Sequence, residues 1–318
     1  MKTILTLIFS GFAILFDGCA FGQTPALPAE LGPHTWTARV KVVGEDGTPI
    51  VGANVSVQYN VPTEPNSGDQ TYGEVKGLTD KDGMFAADHT DSSDGLAVIA
   101  SKSGYYDTHM GHQFYFDEKK RHPDFTLLLK KIGKPIPMYA KLIDSEPPVF
   151  KKTGQPPIAF TNTAGYDFMT GDWVAPYGKG VKADVFFTEE YNKKSRNDYY
   201  YKLSVSFPNK GDGIQGSARD WSLGVSGLIS SNEAPMDGYQ PKYEKTQTSI
   251  SDKIYYFRIH TKLDDSGNVV SARYGKIYGD FMQFTYYLNP TPNDRDIEFD
   301  PKQNLIQGLQ SFEQAKSP

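Results

Sequence analysis

The sequence predicts an all-β protein built of two sandwiches, and three observations carry that prediction. The chain holds 20 Tyr and 19 Phe against 7 Met and 3 Trp, a bias toward residues that suit a pleated, half-buried surface. It holds 30 Gly and 21 Pro, enough turn formers to punctuate many strands. Apolar residues recur at alternate positions, and no segment keeps a helical period except the short polar stretch 305–313, which comes near one. At 318 residues the chain has room for two domains of ordinary size. A net charge of -5 gives no basic footprint for nucleic acid and no polybasic segment for anionic lipid.

At the N-terminus Lys2 supplies a positive charge, residues 4–16 form an apolar stretch, and Ala20-Phe21-Gly22 offers small residues where a signal peptidase reads. Residues 1–22 therefore read as a signal peptide, cleaved before Gln23. The apolar run is too short to span a bilayer, and no later segment would span one either. Cys19 is the only cysteine, and two readings of it stand. Gly18-Cys19 is the core of a lipobox, which points to lipid attachment and an anchored protein. Asp17 is charged where a small residue is expected and Leu15 lies one place too far upstream, which points to removal with the signal peptide. Under either reading the mature chain has no free thiol and no disulfide, so cysteine redox and nucleophile chemistry are excluded.

Residues 36–43 alternate as a strand does, and Gly44-Glu45-Asp46-Gly47 is a turn. Residues 54–59 give a second alternating strand, followed by a polar loop over 61–72. Asp82-Gly83 supplies the positive-φ position of a tight turn between two strands. Residues 96–100 read as a buried strand, and 125–130 close the unit with a final apolar one.

These blocks resemble a known family. Val43, Asp46-Gly47, Pro49-Ile50, Gly52-Ala53 and Val55 form one block; Thr79-Asp80, Asp82-Gly83 and Phe85 a second; Ala100, Lys102 and Gly104-Tyr105 a third. In this order and spacing they are similar to the carboxypeptidase regulatory-like domain. The resemblance implies a prealbumin-like β-sandwich over residues 35–131 and a non-catalytic module of the kind appended to exported enzymes, receptors and surface proteins. It implies no peptidase activity. The loop over 61–74 is longer and more polar than the family's plain version. The matching glycines stand where the chain turns and the matching apolar residues where strands face a core, so they speak of architecture rather than of a ligand.

Residues 132–318 read as a larger, aromatic-rich β domain, a sandwich or jelly-roll-like layer. Residues 135–143 enter as a strand whose prolines place it at a sheet edge, and the Pro- and Lys-rich stretch 146–157 is a loop. Strands follow at 181–187, 199–207 and 221–229. Residues 254–263 and 269–277, joined through Asp264-Asp265-Ser266-Gly267-Asn268, make the clearest hairpin. Residues 281–288 add a strand before Asn289-Pro290-Thr291-Pro292 breaks the pattern. From about residue 165 onward the chain resembles exported bacterial proteins of no assigned activity that carry the same kind of first domain.

The local motifs point away from catalysis. Gly211, Gly213 and Gly216 have the spacing of a dinucleotide-binding loop, but no helix follows to hold a pyrophosphate. His109 and His112, with Asp107 nearby, lack the third and fourth ligands that zinc requires. Asp80 with Asp82, and Asp264 with Asp265, begin like calcium loops without the distal Glu; they read as turns, with one structural calcium ion as the alternative. The chain has no Gly-x-Ser-x-Gly elbow. Asp167, Asp172, Asp184, Glu189 and Glu190 are candidates for a carboxylate pair facing across a sugar, as members of any chain with 38 acids would be. The reading is of no catalytic residue, no metal and no cofactor.

The most suggestive cluster is Tyr166, Phe168, Trp173 and Tyr177, interleaved with Asp167, Asp172 and Lys179 in a Gly- and Pro-rich stretch. Flat rings stack on pyranose faces while carboxylates take the hydroxyls, so the cluster is a candidate sugar-binding face. The plainer reading is that the rings cover a sheet as a loop packs onto it. Trp221 and the Tyr199-Tyr200-Tyr201 run carry the same two readings. The sequence thus leads to a non-enzymatic exported protein, periplasmic or extracellular, binding an extracellular or envelope polymer, carbohydrate first. A structural or adhesion protein with protein partners is the alternative, and a glycoside hydrolase-like enzyme using Asp167 or Asp172 the second alternative. Pro and Lys at sheet edges argue against open-ended association and leave a dimer open.

Overall fold

Alternation in sequence becomes alternation in burial along many strands of the structure, a computed structural model that describes residues 33–62, 70–114, 117–144, 159–193, 195, 198–246 and 253–318. The signal-peptide segment with Cys19, residues 63–69 of the first polar loop and the loop read over 146–157 lie outside the described residues.

Seven strands come first: β1 (His34–Val43), β2 (Asn54–Pro62), β3 (Gln70–Leu78), β4 (Met84–Asp91), β5 (Gly95–Ser101), β6 (Thr108–Gln113) and β7 (Asp124–Leu128). They form a three-stranded sheet, β4-β1-β7, and a second sheet in which β6, β5, β2 and β3 are neighbours in that order. Trp36, Val40 and Val42 from one sheet meet Val55, Val57 and Val98 from the other in a single core, so the unit is a β-sandwich. Within it β1 pairs antiparallel with β4 and parallel with β7, from Arg39↔Asp124 to Val43↔Leu128. The first and last strands of the sandwich are therefore hydrogen-bonded neighbours.

The Asp82-Gly83 turn corrects the sequence reading. It does not close a two-stranded hairpin, because β3 pairs with β2 while β4 pairs with β1. The turn is a corner that carries the chain from one sheet to the other. Gly83 has φ +73° there, and a Cβ on it would stand 2.7 Å from the Val42 carbonyl oxygen, so the corner rests directly on β1.

The remaining strands are β8 (Ile136–Ile143), β9 (Ala159–Asp167), β10 (Asp172–Trp173), β11 (Val185–Lys193), β12 (Tyr199–Ser206), β13 (Gly213–Ala218), β14 (Val225–Ser226), β15 (Lys242–Thr246), β16 (Lys253–Leu263), β17 (Val269–Gly279), β18 (Phe284–Leu288) and β19 (Phe299–Asn304). Apart from β14, which joins the first sandwich's larger sheet beside β6, they form a five-stranded sheet, β10-β9-β11-β12-β15, facing a six-stranded sheet, β13-β16-β17-β18-β8-β19. Tyr255, Phe257, Ile259 and Tyr286 of the six-stranded sheet pack on Tyr166, Phe187 and Val205 of the other. Ile254, Tyr256, Tyr274 and Tyr287 point to the opposite face, where Ala234, Ile297 and Ala315 cover them. The sheet is buried on both sides, which explains the uninterrupted apolar and aromatic run at 254–257.

The hairpin expected around Gly267 is present as β16–β17. Asp264 accepts from the backbone N–H groups of Ser266 and Asn268, 2.9 and 2.8 Å away, and Gly267 takes φ +86°. Three other readings change. Residues 221–229 are not a strand: Trp221–Leu223 is a 3-10 turn whose N-terminus is capped by Asp220, and Val225–Ser226 alone is extended. The strand with Pro137 is not at an edge, because β19 lies outside it; the β8–β19 ladder skips from Phe299↔Ile136 to Asn304↔Met138, bypassing the residue that has no N–H to give. Residues 305–313 form bends and turns.

Candidate functional site

The β9–β10 hairpin places most of the cluster singled out in the sequence. Tyr166 pairs with Trp173 and Asp167 with Asp172, and Gly171, at φ +72°, donates its N–H to the Asp167 carbonyl at 2.9 Å to close the turn. Tyr166, Phe168 and Trp173 all point into the core. Tyr166 meets Trp173 edge to face with centroids 4.9 Å apart, and Phe168 stacks on Phe257 at 4.5 Å. Tyr286 ties the layer together by donating its hydroxyl to the Phe168 carbonyl at 2.9 Å. Of the four rings only Tyr177 is exposed, at 39%. Three of the rings are closed to a ligand, and a sugar face at Tyr166, Phe168 and Trp173 gives way to a packed core: stacking on one another between two sheets buries more ring surface than any open face would.

The acids of the cluster are turn holders. The Asp167 carboxylate accepts from the N–H groups of Met169 and Thr170, the Thr170 hydroxyl and the Val181 N–H, at 2.8 to 3.1 Å. Burial raises its pKa, and these donors outweigh that to hold it below the ordinary aspartate value. Asp172 accepts from the N–H groups of Trp173 and Lys179. Neither carboxylate keeps the free, facing geometry that glycoside hydrolysis asks of a pair.

A second polar group lies behind this hairpin. Asp184 accepts from the Phe168 N–H at 2.9 Å and meets His260 Nε2 at 2.7 Å. Arg273, which can only donate, stands 3.1 Å from His260 Nδ1; the neutral ring therefore carries its proton on Nε2 and gives it to Asp184. His260 is held at φ +55°, with its N–H and that of Thr261 both captured by Asp212. The register of β16 against β17 shifts between Ile259 and Lys262. The glycines at 211 and 213 belong to this arrangement: Gly213 opens β13, a strand rather than a helix, and the Gly211 carbonyl accepts from Arg258.

The residues that the sequence did not single out sit where the two sandwiches meet. The buried Glu298 carboxylate accepts from the Tyr106 hydroxyl at 2.5 Å, from the N–H groups of Gly133 and Lys134, and from the Asn232 amide. Lys130 reaches across to the carbonyls of Ile229 and Ser230 at 3.0 and 2.7 Å, and burial lowers its pKa. β14 extends the first sandwich's larger sheet by pairing with β6. Beside this seam lies a cleft of about 290 Å³ lined in part by Glu45, Lys130, Arg219, Asp220, Ser231 and Tyr256. Deeper in, Lys276 is 0% exposed, its amine 3.1 Å from the Ser230 hydroxyl and 4.9 Å from the Tyr287 ring centre. Burial, reinforced by the charge of Lys130, pushes its pKa well below the ordinary lysine value. No local motif marks these residues, because Tyr106 and Glu298 meet across 192 positions of sequence.

Among the described residues no three His, Cys, Asp or Glu side chains converge as a metal would require. On strand β6, His109 and His112 fall on opposite faces, as a spacing of three dictates, and His112 is bound to the Lys120 carbonyl at 2.8 Å. Asp80 uses a carboxylate oxygen to take the N–H groups of Asp82 and Met84.

No family model matches the chain, that of the carboxypeptidase regulatory-like domain included, and no curated protein matches it. Among solved structures, a variant of the shaft pilin SpaA from Lactobacillus rhamnosus GG aligns over 87% of this chain and 100% of its own, at 10% identity and a TM-score of 0.22. A streptococcal ancillary pilin aligns over 68% of this chain and 59% of its own, at 12% identity and a TM-score of 0.21. The 3-chlorocatechol 1,2-dioxygenase of Rhodococcus opacus 1CP aligns over 34% of this chain and 63% of its own, at 14% identity and a TM-score of 0.24. This chain thus spans less than two-thirds of the dioxygenase and of the ancillary pilin.

Proposed function

We propose that this protein is a structural or adhesion-type protein of the cell surface or envelope, exported by the signal peptide read in residues 1–22 and carrying tension between its ends. Residues 35–131 and 132–318 act in this reading as two domains in series, and the partners are other proteins of the envelope. The supporting observation is the placement of the end strands. In the first sandwich β1 lies parallel to β7, and in the second β8 lies parallel to β19. Pulling on the two ends of such a unit slides the paired strands along one another, straining all their hydrogen bonds together. Antiparallel strands pulled apart from one end give way bond by bond. Asn304 lengthens the second clamp with its side chain, donating to the Ala140 carbonyl at 2.7 Å and accepting from the Ala140 N–H at 3.3 Å. Glu298 and Lys130 join the two clamps through buried contacts. Carbohydrate recognition has no such support, since three of the four rings it would use, Tyr166, Phe168 and Trp173, are in the core.

Single-molecule pulling tests the proposal. Held by its two chain ends, the protein should unfold at higher force than when held at His34 and Asp91, the end of the antiparallel β1–β4 pair that such a pull would unzip. Equal or lower force through the chain ends would sink the tension-bearing reading.

A further inference from the structure

Strand β3 ends the larger sheet of the first sandwich, and among the described residues it pairs only with β2. Nine consecutive pairs, from Asn54↔Leu78 to Pro62↔Gln70, join the two without a register shift, so the outer edge of β3 is long and regular. Such an edge is a ready template for another strand. Three other edges of the fold are blunted: β10 and β14 are two residues long, and β13 is bridged at Ile214 by Gln240.

The side chains of β3 divide cleanly between the faces. Gly73 and Gly77 lie against the rings of Tyr59 and Phe85, and Val75 packs on the core. Tyr72, Glu74, Lys76 and Leu78 form the outward stripe, with Tyr72 78% and Leu78 61% exposed. Read about Val75, this stripe is its own complement. A two-fold axis through that residue, perpendicular to the sheet, places Glu74 opposite Lys76 of a second copy and Tyr72 opposite Leu78, each pair occurring twice. Moving the axis to Glu74 or to Lys76 puts identical charges face to face. Opposite-charge and aromatic–aliphatic cross-strand pairs stabilise antiparallel ladders, and like charges directly opposite destabilise them. In the single chain Glu74 and Lys76 satisfy each other, 2.5 Å apart on the same strand, so the two charges are available to exchange partners without crossing the sheet.

We propose that two copies of this chain associate edge to edge through β3, antiparallel about a two-fold axis at Val75, joining their larger sheets into one continuous sheet. The pairing is isologous and closed: it consumes the β3 edge of both copies and propagates no further.

Sedimentation analysis of the whole protein over a wide concentration range, with charge reversals, tests this. Wild type should shift from monomer to dimer as concentration rises, and the backbone amides over 72–78 should gain protection from hydrogen exchange in step. Glu74→Lys and Lys76→Glu should each weaken the dimer about tenfold or more, since each sets two like-charge pairs across the axis, worth together about 1.4 kcal/mol. The double variant, with both charges exchanged, should restore it. All three side chains changed or retained are at the surface, so thermal melting serves as the folding control, and Tyr72→Lys offers a second disruptive change away from the charges. A monomer at every concentration overturns the proposal and leaves the edge to another protein's strand. A dimer indifferent to the single reversals, or one the double variant does not restore, overturns it too, by placing the contact elsewhere or in another register.

Discussion

Asp167 and Lys276 are both buried, and the surroundings of each decide which protonation state the fold favours. The donors around Asp167 hold its folded pKa below the unfolded one. Its stabilisation is therefore complete above the unfolded value of about 3.9 and is lost as pH falls through the folded value. Asp167→Asn should cost about 2 kcal/mol near neutral pH, and urea titrations should show that cost shrinking once the pH drops below about 4. Lys276 runs the other way. Its folded pKa lies below the unfolded value of about 10.4. Between the two values the unfolded chain binds a proton that the folded chain does not, so stability climbs with pH across that window. Lys276→Met should abolish this slope and leave the protein at least as stable at neutral pH, by about 1 kcal/mol or more; denaturation curves across the window check both outcomes. Ser230 keeps a partner in that variant, because the Tyr278 hydroxyl also donates to it. Trp173→Ala should cost about 3–5 kcal/mol in a denaturant titration. The ring fills core space here, although its sequence setting suits a binding face equally well. Aromatics interleaved with acids in a Gly-rich stretch look the same whether the rings meet a ligand or one another. What decides the matter for Tyr166 and Trp173 is the opposing sheet, contributed by residues about 100 positions away.

At the scale of elements, two glycines with nearly the same backbone angle separate strain from crowding. Gly47 has φ +77° with nothing within 4 Å of a Cβ, whereas Gly83 has φ +73° with the Val42 carbonyl oxygen 2.7 Å from one. Gly47→Ala should cost about 1 kcal/mol, the price of the left-handed conformation alone. Gly83→Ala should cost roughly twice that or more, since a backbone atom must also move; paired thermal melts would show the gap. Both turns were legible in the sequence, as were the period-two strands and the β16–β17 hairpin, because these depend on neighbours in the chain. Which strands the Gly83 turn connects was not legible, since sheet membership is set by pairing at a distance. The same holds for β8. Pro137 suggests a sheet edge, yet β19 lies beside it, with the chain bonding on either side of the gap through Ile136 and Met138. Residues 221–229 misled through composition: Trp, Leu, Val and Ile alternate loosely there, while Asp220 caps a turn and Gly224, at φ +79°, ends it.

For the whole molecule, the seam at Glu298 is the point of coupling. Removing this carboxylate leaves the Gly133 and Lys134 N–H groups and the Tyr106 hydroxyl without their acceptor. Glu298→Ala should therefore separate thermal unfolding, followed by calorimetry, into two transitions, one for each sandwich; a single unchanged transition would show that the seam does not couple them. The parallel end strands have a further consequence, for timing. Arg39 meets Asp124 across 85 positions of sequence, and Ala140 meets Asn304 across 164. A chain emerging N-terminus first cannot close either sandwich until the last strand of that sandwich has appeared. Every shorter piece lacks the strand that shields β1 or β8, and long-range closure of this kind is slow. Each sandwich thus stays open until its own last strand has been made, the first near residue 128 and the second near residue 304.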